Sequence, residues 1–148
     1  MEKRHIGYLL HRLVHVVDRD MNASFAACGL THVQARVLLF IYHHGENGKT
    51  CGQKDLEQFL GIQKSSVTSV VNLMEKKGWM KRLPDPEDGR RNRLMLTEKA
   101  LPYQAMAAEC TEKEEQAISC HLSEKEVSEL RAILSRLLVC MKGDGHHE

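Results

Sequence analysis

The sequence predicts a mainly α-helical fold carrying one small β-hairpin, and three observations point to it. Apolar residues recur at three- and four-residue steps over long stretches, from Ile6 to Val17, from Val67 to Met74 and from Val127 to Met141. Three pairs, Thr31 with Gln34, Thr50 with Gln53 and Ser123 with Glu126, stand ahead of such stretches at capping-box spacing. One segment instead reads as two short strands, Trp79 to Leu83 and Asn92 to Leu96, around a loop holding Pro84, Pro86 and Gly89.

Taken in order, Ile6, Leu9, Leu10, Leu13, Val16 and Val17 lie on one helical stripe that predicts a long buried face. Met21 and Phe25 extend it before Gly29 breaks the chain. Thr31 and Gln34 then open a second helix with Val33, Val37, Leu38 and Ile41 inward, followed by a turn over residues 45–49. Thr50 is expected to cap a short third helix, whose Leu56, Phe59 and Leu60 face the core until Gly61 stops it. Val67, Val70, Val71 and Met74 form the stripe of a fourth helix ended by Gly78. Gln63 is a weak cap for this helix.

After the hairpin, Thr97 has the look of an N-cap, but Pro102 five residues on would remove an intrahelical hydrogen bond. The expectation is a kink, or a helix that begins after Thr97 and runs through Tyr103, Met106 and Cys110 towards Ile118. Ser123 and Glu126 start the last helix, flanked by Leu122 and Val127 at staple positions. Its Val127, Leu130, Leu134, Leu137 and Met141 step by 3, 4, 3 and 4, the spacing of a helix-pairing seam. The tail Gly-Asp-Gly-His-His-Glu is expected to be disordered.

A chain of 148 residues, 42% hydrophobic and 28% charged, is one domain's worth of globular protein. No apolar run approaches the roughly 20 residues of a membrane helix. The N-terminal stretch mixes charges and histidines into its apolar pattern, unlike a signal-peptide core. A cytoplasmic protein with no membrane partner is expected. The five cysteines, Cys28, Cys51, Cys110, Cys120 and Cys140, include no C-x-x-C pair, so reduced thiols are the default. Cys51 is the redox candidate, because a helix capped by Thr50 would place it at the first helical position and lower its pKa.

Chemistry concentrates between residues 63 and 93. Opposite the apolar stripe of the fourth helix lie Ser65, Ser69, Asn72 and Lys76, with Ser66 and Thr68 on the flanks. A merely solvated face usually carries Glu and Lys. Short uncharged donors and acceptors suit a helix lying against base edges. From Lys76 to Arg93, seven basic residues stand against three acidic ones, although the whole chain carries a net charge of only +1. Arginines on a hairpin tip can reach phosphates or a narrow minor groove.

These residues resemble the MarR family of bacterial transcriptional regulators. The likeness rests on Leu30-Thr31-x-x-Gln34, on Val67-Thr68, on Gly78 and above all on Asp85-Pro86-Glu87-Asp88-Gly89-Arg90 followed by Leu96-Thr97-Glu98-Lys99. In the family's wing pattern an Asp stands two residues before an Arg, here Asp88 and Arg90. Ala100 departs from a frequent Gly. The resemblance implies a single domain over 1–148, mainly α with a β-hairpin wing. Residues 30–99 would form a winged helix-turn-helix, 1–29 and 100–142 dimerisation helices, and 143–148 a disordered tail. It implies a homodimer on a pseudo-palindromic double-stranded operator, without a cofactor and not an enzyme.

Ser65, Ser69 and Asn72 would then read bases, and Lys64, Ser66 and Thr68 would divide between bases and phosphates. Arg90 and Arg91 would border the minor groove, Arg82 and Arg93 would hold backbone, and Asp88 would orient an arginine. A small aromatic or anionic effector, binding between the dimer helices and the winged unit, is the family's usual input. Zinc sensing is the variant for which Cys28, His43, His44 and Cys110, with Asp18 and Glu109 nearby, are the metal candidates. His11 and His15 stand at His-x-x-x-His spacing in the first helix, but they read as surface or interface residues, and solvated histidines are the favoured reading. Two other classes remain: an enzyme built on Cys51, for which no signature is present, and a winged-helix docking module that has left DNA.

Overall fold

The computed structural model describes residues 4–143. Its elements are α1 (Ile6–Ala27), α2 (His32–Glu46), α3 (Gln53–Leu60), α4 (Lys64–Lys76), β1 (Met80–Pro84), β2 (Asn92–Leu96), a 3-10 turn (Glu98–Ala100), α5 (Leu101–Ser119) and α6 (Glu124–Gly143). The mainly α architecture with one hairpin is thus as expected. The chain divides into two compact units, Met1–Thr111 and Glu112–Glu148.

In the first unit a single core forms where α2, α3, α4 and the hairpin meet. Its fully enclosed side chains include Val37, Leu38, Leu56, Val67, Val71, Met74 and Met80, with Phe25 and Leu30 closing it from the end of α1. The Thr31–Gln34 capping box is present in both directions: the Thr31 hydroxyl accepts the Gln34 N–H at 3.1 Å and the Gln34 amide oxygen accepts the Thr31 N–H at 3.0 Å. Val37, Leu38 and Ile41 are buried as expected, with Val33 half-buried. α2 runs two residues into the turn expected over 45–49, ending at Glu46, and Gly48 takes a left-handed φ of +66°. Gly61 at φ +63° closes α3 in the left-handed region, where a side chain would be strained.

β1 and β2 pair antiparallel, Met80 opposite Leu96 and Pro84 opposite Asn92. β1 begins one residue later than expected because Trp79 turns into the core and gives its N–H to the Met74 carbonyl at 3.0 Å. Thr97 caps nothing. Its hydroxyl donates to the Gly78 carbonyl and its N–H to Trp79 O at 3.0 Å, closing the base of the hairpin. α5 therefore starts later, as one of the two expectations had it. Pro102 is its second residue, where a missing N–H costs no intrahelical bond.

Thr50 is not the cap of α3. The cap is Gly52, whose N–H is accepted by the Asp55 carboxylate at 2.8 Å, and the helix begins at Gln53. Cys51 consequently lies outside the helix, 2% exposed, with its carbonyl accepting the Leu94 N–H of β2 at 2.7 Å. Burial, aided by the nearby Asp55 carboxylate, pushes its thiol up to about 12, opposite to the lowering expected at a helix start. This corrects the redox candidacy of Cys51: a protonated, enclosed thiol is a core residue.

The face of α1 is a second correction. Only Met21 and Phe25 of that helix are buried, whereas Ile6 is 74% and Leu13 57% exposed. A 22-residue helix is about 33 Å long, and among the described residues its N-terminal half has no covering partner within its own unit. In the second unit α6 likewise buries none of its residues. Leu130, Leu134, Leu137 and Met141 of the seam are exposed. The Ser123–Glu126 capping box starts α6, with reciprocal bonds of 2.8 and 3.2 Å. Arg131 pairs with Glu115 across the turn. Gly143, assigned to the tail, is the last residue of α6, and residues 144–148 lie outside the described ones.

Two outcomes follow for stability. Leu38→Ala should cost about 2–5 kcal/mol in chemical denaturation, because the enclosed site cannot collapse fully. Cys51 should resist alkylation in the native protein at pH 8 and react only on unfolding. Its folded-state pKa lies above the ordinary 9.0, so its stabilising contribution is complete below pH 9 and is lost as pH rises towards 12. A Cys51→Ser variant should show a flatter loss of stability over that alkaline range.

Candidate nucleic-acid interface

α4 owes its orientation to its own stripe. Val67, Val71 and Met74 are fully buried and Val70 is half-buried, which leaves Lys64, Ser65, Ser66, Ser69, Asn72 and Lys76 exposed. Gln63 makes no side-chain cap, as its identity suggested. Leu73 was missed by sequence reasoning. It is 45% exposed and lies about 40° round the helix from Ser69, inside the polar face. The signal was available, since Leu73 falls outside the 0, 3, 4, 7 stripe.

Within this face the hydrogen bonds differentiate the candidates. Thr68 is half-buried, its hydroxyl donating to the Lys64 carbonyl at 3.0 Å and accepting from Gln53 Nε2 at 2.8 Å. The same Gln53 amide reaches Glu57 Oε1 at 3.3 Å, so Thr68 and Gln53 lock α4 onto the start of α3. Gln53, read from sequence as a capping residue, is thereby a spacer between the two helices. The Ser69 hydroxyl donates to the Ser65 carbonyl at 3.0 Å and keeps its lone pairs for an incoming donor. Ser65 and Ser66 are exposed beside it.

Arg82 joins helix and wing. From β1 its Nη2 donates to Asn72 Oδ1 at 2.6 Å, and its Nε lies 3.2 Å from Glu75 Oε2. The base-reading candidate Asn72 and the backbone-holding candidate Arg82 are thus partners, and the Asn72 amide nitrogen is the part left to donate outward. Arg93 sits half-buried in β2. Its Nε is enclosed without an acceptor among the described residues.

The wing tip is built from its acidic residues. Asp85 Oδ1 accepts the Glu87 N–H at 2.9 Å, and the Asp85 N–H reaches the Arg91 carbonyl at 2.9 Å. Asp88 Oδ1 accepts the Arg90 N–H at 3.1 Å, and the Asp88 carbonyl accepts the Arg91 N–H at 3.0 Å. The Asp88 carboxylate also lies 3.6 Å from Arg91 Nε, an ion pair between exposed groups. Asp88 therefore shapes the loop through backbone bonds, and the side chain paired with it belongs to Arg91. Arg90 and Arg91 are exposed at the tip. Lys77 lies 4.6 Å above the Trp79 ring centre at the foot of the wing.

The other candidates fall elsewhere. Cys28 and Cys110 come together, with their sulfurs 3.8 Å apart. His43 is exposed, and the His44 ring lies tilted against Phe40 with ring centres 4.1 Å apart while its Nδ1 meets the Phe40 carbonyl. Among the described residues no three His, Cys, Asp or Glu side chains converge on a common point. No single helix is long and apolar enough to cross a membrane.

Residues 29–91 match the model of the MarR family. The chain is 32% identical to YdcH, an HTH-type transcriptional regulator of Bacillus subtilis, over 120 residues, or 81% of this chain and 82% of that protein. It is 25% identical to the multiple antibiotic resistance protein MarR of Salmonella typhimurium over 137 residues, 90% of each chain. Among solved structures, the Staphylococcus aureus MepR–DNA complex superposes with a TM-score of 0.80 at 23% identity, covering 93% of this chain and 99% of that one. Apo MarR from Escherichia coli gives 0.70 at 25% identity with the same coverage. The exposed polar face of α4, the arginine-tipped hairpin and these likenesses agree: the chain belongs to the MarR family of winged helix-turn-helix transcriptional regulators and is not an enzyme.

Proposed function

We propose that this protein is a cytoplasmic, homodimeric, effector-responsive repressor that binds a pseudo-palindromic double-stranded operator. The observation that carries the reading is the α4 face itself. Ser65, Ser66, Ser69 and Asn72 are exposed, and Arg82 ties that face to the wing. Compact donors and acceptors meet base edges without repelling phosphate, and Leu73 offers methyl groups where a thymine methyl can pack. Lys64, Lys76, Arg90 and Arg91 supply charge for phosphates, and Thr68 acts by positioning. MepR and E. coli MarR have been solved with DNA, MarR on its operator, which supports the same partner here.

The dimer rests on the apolar surfaces of α1 and α6. Solvent-exposed Leu9, Leu13, Leu134 and Leu138 form patches of the kind that mark an interface. A two-fold axis would set two α4 helices roughly 34 Å apart, in successive major grooves. For the effector, a cleft of about 390 Å³ in the first unit is lined by Ile41, Tyr42, Leu94 and Leu96, with Lys49, Glu46 and Arg93 also on its wall. Its size and apolar lining with a few charges suit a small aromatic acid.

Binding to operator DNA, followed across a salt series by fluorescence anisotropy, tests the proposal. The wild type should weaken steeply with salt, and Arg90→Ala should lose affinity on every sequence and flatten the log–log slope by about 1. Leu73→Ala and Ser65→Ala should instead change which base pairs are preferred. Negligible affinity at low salt, or equal losses from both kinds of variant on all sequences, would refute the assignment. In sedimentation, Leu13→Glu combined with Leu134→Glu should shift a dimer to monomer; an unchanged mass would remove α1 and α6 from the interface. Benzoate-class acids should raise the melting temperature of the wild type but not of Arg93→Ala. A flat response in both would discard the cleft as the effector site.

A further inference from the structure

Two half-buried thiols from opposite ends of the winged unit meet in the structure. Cys28 is the C-cap of α1, its N–H donating to the Phe25 carbonyl at 2.9 Å, and Cys110 lies on α5, 82 residues away in sequence. Their sulfurs are 3.8 Å apart, and Cys110 Sγ is also 3.8 Å from the Ser24 carbonyl. We propose that Cys28 and Cys110 form a dithiol site that small disulfide-class oxidants close to an intrachain disulfide, an oxidant input beyond any aromatic effector.

The geometry singles out this pair from the other three cysteines. Cys51 is enclosed in the core, whereas Cys28 and Cys110 keep partial exposure through which a small molecule can reach sulfur. Cys120 and Cys140 are exposed in the second unit, where the Cys120 thiol meets the Ala117 carbonyl at 3.4 Å. A disulfide needs about 2.05 Å between sulfurs, so closure draws the pair together by about 1.8 Å, within reach of side-chain rotation. One thiolate attacks a disulfide RSSR and expels one RS⁻, leaving a mixed disulfide on the protein. The second thiolate attacks the protein sulfur of that bond and expels the other RS⁻. Two cysteine thiols are oxidised, RSSR is reduced to two RSH, and the two thiol protons pass to the departing thiolates. The product joins the end of α1 covalently to α5.

The test uses the full chain equilibrated with oxidised and reduced glutathione at graded ratios, acid-quenched, alkylated and digested with trypsin. Lys and Arg residues separate all five cysteines into different peptides, so each pairing is distinguishable. The expected product is a Cys28–Cys110 crosslinked peptide as the dominant disulfide, formed in both the wild type and the Cys120→Ser/Cys140→Ser variant and reversed by excess reduced glutathione. Cys28→Ser should instead accumulate glutathione on Cys110. Stable glutathione adducts on both cysteines of the wild type, or a dominant crosslink through Cys120 or Cys140, would overturn the proposal. Because mass and not affinity is read, the result is independent of whether the protein binds DNA as proposed.

Discussion

The burial of one three-residue stripe governs the functional half of this molecule. Val67, Val71 and Met74 are wholly enclosed, and a helix whose inward side is fixed by packing has no choice about its outward side. Turning α4 by even one position would bring Thr68 and Asn72 into the core without partners, at a cost of roughly 1–3 kcal/mol for each unsatisfied group. Everything attributed to its polar face, including the Arg82 bridge and the spacing lock through Gln53, presupposes that anchoring. The hydrogen bonds refine an orientation that apolar packing has already set.

Much of this was legible beforehand, and the reason is local. The Thr31 and Ser123 caps, the Gly61 and Gly78 stops and the α4 stripe are each decided within about four residues, so nearest-neighbour physics suffices. Failures came where a distant partner decides. Thr50 and Gln53 had capping spacing, but Cys51 is drawn into the core against β2, which moves the helix start and leaves the cap to Gly52 and Asp55. Thr97 looked like a cap until the Gly78 carbonyl, nineteen residues earlier, took its hydroxyl.

The α1 stripe shows a different limit. Periodicity tells that one side of a helix is apolar, yet it cannot tell whether the cover belongs to the same chain. Ile6 to Val16 have the pattern of a core and the exposure of a surface. Candidate site residues were likewise half-legible. Side-chain type and spacing located the α4 face and the arginines, but which groups are already engaged, as Thr68, Asn72 and Asp88 are, depends on contacts across the fold. Leu73 went unread because attention to polar chemistry passes over an apolar side chain standing among serines.

Trp79 is the sole tryptophan of the chain. It is buried where α4 ends and the wing begins, its ring 4.5 Å from Tyr103 of α5 and capped by Lys77. The molecule consequently carries an intrinsic optical reporter at the joint of helix, wing and α5. Emission colour and tyrosine-to-tryptophan energy transfer follow the hydration and closeness of that joint without any added label.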